Sequence, residues 1–145
     1  MKASEFPFHI QQEVVFRDID VMGHVNNAVF VTYLETARTK YLMHFMDVDE
    51  TLTALPVILG KIECTFHAPA HFGEILTVAT GISRFGNKSF DMAHQIDGQD
   101  GRLVLSGKTI MIMYDYDQGQ SILIPDTFKQ QVNQRQGNWR YAAPD

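Results

Sequence analysis

The chain has 145 residues, 45% hydrophobic and 20% charged, which fits one globular domain with its own core and argues against a disordered chain. A net charge of −5 argues against a domain that binds nucleic acid or an anionic membrane with its whole surface. The one cysteine, Cys64, excludes an internal disulfide and suits a reducing compartment. With no hydrophobic leader after Met1 and no apolar run of spanning length, a soluble cytoplasmic protein without membrane insertion is expected.

In chain order, His9 to Arg17 reads as a first strand, and a polar loop follows from Asp18. From Asn27 to Phe45 the period changes. Phe30, Leu34, Ala37, Tyr41 and Phe45 recur at steps of three and four, which makes one apolar helix face. Asn26 or Asn27 is the expected N-cap, since a short carboxamide accepts from the unpaired amides of a first turn. A short irregular segment is expected from Asp47 to Leu55. Ile62, Cys64 and Phe66 then alternate with Glu63, Thr65 and His67 as a strand. Leu76 to Ile82 and Phe90 to Ile96 follow as two more, the latter ended by the turn signal Asp97-Gly98-Gln99-Asp100-Gly101. Leu103 to Tyr114 is the longest strand and Ser121 to Ile124 a short one. Pro125-Asp126 opens a terminal helix carrying Phe128 and Val132, and the tail from Gly137 is expected to be loosely held. The expected organisation is one domain over 1–136 with a tail over 137–145. This order predicts an α+β fold in which an antiparallel sheet wraps one long helix. The other sheet face or an edge is left for a partner, so a homo-oligomer is expected.

The stretch Phe16-Arg17-Asp18-Ile19-Asp20-Val21-Met22-Gly23-His24-Val25-Asn26-Asn27-Ala28 concentrates the chemistry. A helix start presents free N–H groups and a positive dipole end, which stabilise a carbonyl oxygen as it gains charge. The amide of Asn27 or Ala28 is the expected donor. Asp20 can serve as general base on water or attack the carbonyl itself; it can also simply stabilise a turn. Asp18 is read as structural. His24 can orient substrate, donate to Asp20 or hold the loop. Asn26 and Asn27 have capping as their competing role, and Glu35 has an exposed or interface ion pair.

These residues, with Tyr33-Leu34-Glu35-Thr36-Ala37-Arg38, resemble the hotdog-fold acyl-CoA thioesterases, in the 4-hydroxybenzoyl-CoA thioesterase-like branch that includes bacterial long-chain acyl-CoA thioesterases. The resemblance spans roughly Glu13 to Tyr114. It extends to Pro69-Ala70-His71-Phe72-Gly73-Glu74 and to Ser83-Arg84-Phe85-Gly86-Asn87-Lys88-Ser89-Phe90. It implies a hotdog fold, a dimer or tetramer with sites at the subunit interface, and hydrolysis of acyl-CoA without metal or organic cofactor. The family's catalytic carboxylate matches Asp20, and the histidine proposed for related plant enzymes matches His24. The other catalytic asparagine of those plant enzymes falls at Met22, so that part of their mechanism does not carry over. With the Asn27 amide from the helix-start reading, the expected catalytic residues are Asp20, His24 and Asn27. Asn26, Ala28 and Glu35 are the expected substrate contacts from their places at and along the helix, and the resemblance implies coenzyme contacts by Arg84, Asn87, Lys88 and Ser89, where Arg and Lys suit phosphate.

Three other signals fail. Cys64, His67 and His71 have metal-ligand chemistry, but Cys64 and His67 fall on opposite strand faces and Pro69 prevents a helix from aligning the histidines. Gly107-Lys108-Thr109 mimics a P-loop end, but five residues separate Gly101 from Gly107. No Gly-x-Ser-x-Gly elbow is present. The rival functions are a hotdog hydratase or dehydratase acting on an acyl thioester, and a non-catalytic acyl-CoA sensor.

Overall fold

The computed structural model describes residues 1–47 and 55–145. The irregular segment expected from Asp47 to Leu55 therefore lies, apart from its two ends, outside the described residues. The elements are β1 (Phe8–Glu13), α1 (Asn27–Leu42), β2 (Val57–Phe66), β3 (Ile75–Phe85), β4 (Ser89–Asp97), β5 (Leu103–Asp115), β6 (Gln120–Ser121) and α2 (Asp126–Gln136). The strands form one antiparallel sheet of order β1-β3-β4-β5-β2, and β6 pairs with the end of β5. The sheet curls around α1, which is the hotdog fold. Among the described residues no helix is long and apolar enough to cross a membrane.

The inward face explains the packing. At one end, Leu76, Val78, Ile96 and Leu105 pack under Phe30, Tyr33, Leu34 and Ala37. At the other, Ile82, Phe90, Met92, Met111 and Met113 pack under Tyr41 and Leu42, and α2 adds Phe128 and Val132. Each fully buried side chain of this kind contributes ~1.5–3 kcal/mol relative to exposure. A polar band separates the two halves. Thr80 pairs with His94 there, and His94 Nε2 meets Thr109 Oγ1 diagonally across β5 at 2.8 Å, Gly107 being the residue opposite His94. Burial, and then the charge of Arg38, push the His94 imidazole down to about 3, so it is neutral in the fold.

Four expectations need correction. First, the opening strand stops at Glu13, and Phe16–Asp18 forms a 3-10 turn instead. The buried Asp18 carboxylate causes this by accepting from the Val15 amide at 3.1 Å and the Tyr33 hydroxyl at 2.5 Å. Second, α1 ends at Leu42, and Phe45 sits in the following turns, packed on Phe128. Third, the last short strand covers only Gln120–Ser121. Fourth, the tail is not loose: Trp139 and Tyr141 pack with Ala3 and Phe6 over Ala79 and Ala93. A Cβ at Gly81 would lie 2.8 Å from the Trp139 ring, so glycine there admits the indole. The chain's own termini thus cover the outer face over β3 and β4, where every residue from Phe90 to Asp97 is buried. The β2 edge stays open, and Ile58 and Leu59 on it are each 40% exposed.

Candidate active site

The loop before α1 is built by its own hydrogen bonds. Asp20 N donates to His24 O at 2.9 Å, and Gly23 N donates to Asp20 O at 3.0 Å. Gly23 has φ +80°, a conformation that glycine adopts without the Cβ penalty. Asp20 Oδ1 accepts from Met22 N at 2.9 Å, so one carboxylate oxygen holds the turn. No hydrogen bond engages its other oxygen among the described residues.

Asn26 is the N-cap: its extended backbone leads into α1 and its Oδ1 accepts from Ala28 N at 2.8 Å. Val29 N donates to Asn26 O at 2.9 Å. The Asn27 amide makes no hydrogen bond among the described residues. Of the two amides proposed as carbonyl donors, Ala28's is therefore engaged by the cap and Asn27's remains available.

A cleft of about 410 Å³ opens beside this turn. One wall is Asp20, Met22, His24, Asn26 and Asn27, and the other is Phe66, His67, Ala68 and Pro69 at the end of β2. Phe30 also lines it, in ring contact with Phe66 at 6.0 Å. The His24 ring meets His71 edge-on at 5.3 Å. An aspartate, a histidine and the first residue of a helix thus line one cavity with two aromatic rings.

The other candidate residues lie elsewhere in the chain's fold. Glu35 lines a second groove of about 440 Å³, with Arg38, Leu42, Val57, Ile58 and Leu59 among its walls. The Arg38 guanidinium there is 3.8 Å from Glu35, and its buried Nη1 has no partner among the described residues. Arg84 stands opposite Asp91, which pairs with Ile110, whereas Phe66 pairs with Leu105. Five residue steps along β5 separate these levels, about 17 Å at strand rise. Arg84 binds the buried Asp91 carboxylate through Nε at 2.9 Å and Nη2 at 3.1 Å, and Lys108 adds a contact at 2.8 Å. Asn87 O accepts from Ile124 N at 2.9 Å and Lys88 O from Met113 N at 2.8 Å, so their backbones brace the turn. Ser89 opens β4, where its carbonyl accepts from Gly86 N at 2.7 Å.

The second wall of the cleft was not assigned a role from sequence, although the Pro69 to Glu74 turn that continues it was part of the resemblance. Arg102 anchors that turn. It donates to both Glu74 carboxylate oxygens and to Pro69 O, each at 2.7 Å. The hydrogen bonds from Arg102 hold the Glu74 carboxyl down to about 2. No group of three or more His, Cys, Asp or Glu among the described residues is placed to hold a metal ion.

The chain is similar to known proteins in sequence and fold. A curated relative, the acyl-CoA thioester hydrolase YbgC of Escherichia coli, is 26% identical over 104 residues, covering 70% of this chain and 78% of its own. A Thermus thermophilus thioesterase solved with coenzyme A and Zn superposes with a TM-score of 0.84 at 25% identity, covering 92% of this chain and 97% of its own. A thioesterase-assigned structure from Bacillus stearothermophilus shares the fold with a TM-score of 0.83 at 22% identity, covering 93% and 98%. The family model for the thioesterase-like superfamily matches residues 14–132, from the end of β1 into α2 and across the whole cleft, and the chain belongs to that family.

Proposed function

We propose that the protein is an acyl-CoA thioesterase that hydrolyses its substrate in the cleft before α1. One observation carries this reading: Asp20, which keeps one carboxylate oxygen free of hydrogen bonds, and Asn27, whose amide is unpaired among the described residues, line the same cavity. The substrate carbonyl lies against the Asn27 amide, where the helix dipole and the N–H favour an oxyanion. Asp20 takes a proton from water as the hydroxyl adds to the carbonyl carbon. The tetrahedral intermediate then collapses, the C–S bond breaks, and the coenzyme A sulfur leaves as thiolate and takes up a proton. In the alternative course Asp20 adds to the carbonyl itself, expels the thiolate and forms a mixed anhydride that water cleaves. His24 lines the same cavity and orients the substrate or water. The likeness to a curated acyl-CoA thioester hydrolase supports coenzyme A thioesters as substrates.

The working unit proposed is at least a dimer with composite sites. The open β2 edge and the buried Nη1 of Arg38 support it, because a buried N–H donor without a hydrogen-bond partner among the described residues is costly. In that assembly Arg84 and Lys88 of a second copy serve the coenzyme half of the substrate. The free Cys64 suits a reducing compartment, so the cytoplasm is the proposed location. The test is a panel of saturated acyl-CoA substrates with free-thiol detection, on wild type and Asp20→Asn. Thiol release by wild type alone supports the reading. Consumption of enoyl-CoA without thiol release supports the hydratase rival, and tight binding without turnover supports the sensor.

A further inference from the structure

The second wall of the cleft is a connection between strands, and Arg102 fastens it from behind. Its guanidinium is not among the groups lining the cavity. Nη1 donates to Glu74 Oε1 and to Asp100 Oδ1, each at 2.7 Å. Nη2 donates to Glu74 Oε2 and Pro69 O, each at 2.7 Å. Pro69 is itself a cleft residue. Glu74 Oε2 also accepts from the His71 amide at 2.7 Å, which closes the turn between them. Within that turn, Ala70 O accepts from Val25 N at 2.9 Å. Val25 is buried and immediately precedes the cap residue Asn26. An unbroken series of hydrogen bonds and short backbone links therefore runs from Arg102 through Pro69, Ala70 and Val25 to the Asn27 amide.

We infer that Arg102 is a positioning residue: its forked guanidinium sets the spacing between the Pro69 wall and the start of α1, and so the fit of the substrate carbonyl to the Asn27 amide and Asp20. The inference rests on the proposed hydrolysis for its catalytic consequence. The geometry uses a fork: Nη2 spans Pro69 O and Glu74 Oε2 while Nη1 holds Glu74 Oε1 and Asp100 Oδ1, four contacts that the three protons of one ammonium do not reproduce. It also demands space. A Cβ on Gly98 would fall 2.9 Å from Arg102 Cζ and closer still to Nη1, so Gly98 makes room for the guanidinium.

Two variants test this from opposite sides. Arg102→Lys keeps the charge and removes the fork; Gly98→Ala keeps the arginine and displaces it. Each is expected to lower kcat ~10-fold or more, since misplacement of ~1 Å at a reacting centre costs up to ~10²-fold. KM should change less than kcat. The readout independent of activity is native-state hydrogen exchange of the Val25 amide. It should quicken ~10-fold or more in both variants, while amide protection across the β3–β4 pairing stays as in wild type. Wild-type kcat and Val25 exchange in both variants overturn the inference. A lowered melting temperature with both readouts unchanged also overturns it, because Arg102 is then only a stabilising ion pair. If wild type hydrolyses no acyl-CoA, the functional reading fails, and Val25 exchange alone decides whether Arg102 orders the helix start.

Discussion

The loop before α1 and the turn between β3 and β4 both carry the polar residues that a coenzyme A thioester needs, yet the fold treats them differently. In the loop, the chain holds the backbone with backbone partners and leaves reactive groups available. Asp20 gives one oxygen to the turn and keeps the other, and Asn27 keeps its amide. In the turn, the charge that looked available is engaged: Arg84 binds Asp91 through two nitrogens. Residue type alone does not separate these cases. What separates them is whether a buried counter-group stands opposite in register, as Asp91 does for Arg84.

The largest effect should come from the loop. Asp20→Ala is expected to lower kcat by ~10²–10⁴, the usual worth of a general base, with little change in melting temperature. A folded Asp20→Ala enzyme with near-wild-type turnover would remove the carboxylate from the mechanism. Next comes assembly. Sedimentation should show a dimer or larger species at assay concentration, and dilution into monomer should abolish activity together with the composite site. A fully active monomer would show that the cleft works alone.

Smaller effects sharpen the contrast at the turn. Lys88→Ala is expected to raise KM several-fold for acyl-CoA, leave kcat intact, and lose its effect at high salt, as exposed phosphate contacts do. Arg84→Ala should raise KM less, since its guanidinium is already held by Asp91. Equal loss with a short acyl-pantetheine substrate, which lacks the nucleotide, would make both residues structural.

The smallest effect concerns pH. Arginine holds the Glu74 carboxyl at about 2, below its ordinary value of 4.5. For Asp91, burial opposes ionisation, but hydrogen bonds from Arg84 and Lys108 overcome it and hold the carboxyl below its usual range. A depressed carboxylate contributes stability that is complete above its unfolded value and is lost as pH falls through its folded one. Arg102→Gln should therefore melt below wild type at neutral pH, and the gap should close between about pH 4.5 and about pH 2. A gap that stays constant across that window would uncouple Glu74 from Arg102.

Much of this was legible in the sequence because it is local. The apolar steps of α1, the Asn26 cap and the turn after Asp97 each follow from residues within one or two turns of chain. The features that escaped are long-range pairings of polar groups. Asp18 meets Tyr33 fifteen positions away, and that pair ends the first strand. Arg102 meets Glu74 across 28 positions. Arg38 lies buried beside the β2 groove, which nothing local in its sequence signals. The covering tail left one readable trace: Ala79, Gly81 and Ala93 are small residues on the outward face, where Trp139 and Tyr141 need room.

The account stands most directly on where the substrate carbonyl lies. Its test is a ¹⁵N-resolved NMR titration with a ketone analogue of acyl-CoA, in which a methylene replaces the sulfur so that the carbonyl is kept and cannot be hydrolysed. The account predicts that the Asn27 amide shifts the most among the backbone amides of α1, and that Asp20→Asn retains this shift while losing turnover. An analogue that binds and leaves the Asn27 amide unmoved would contradict it.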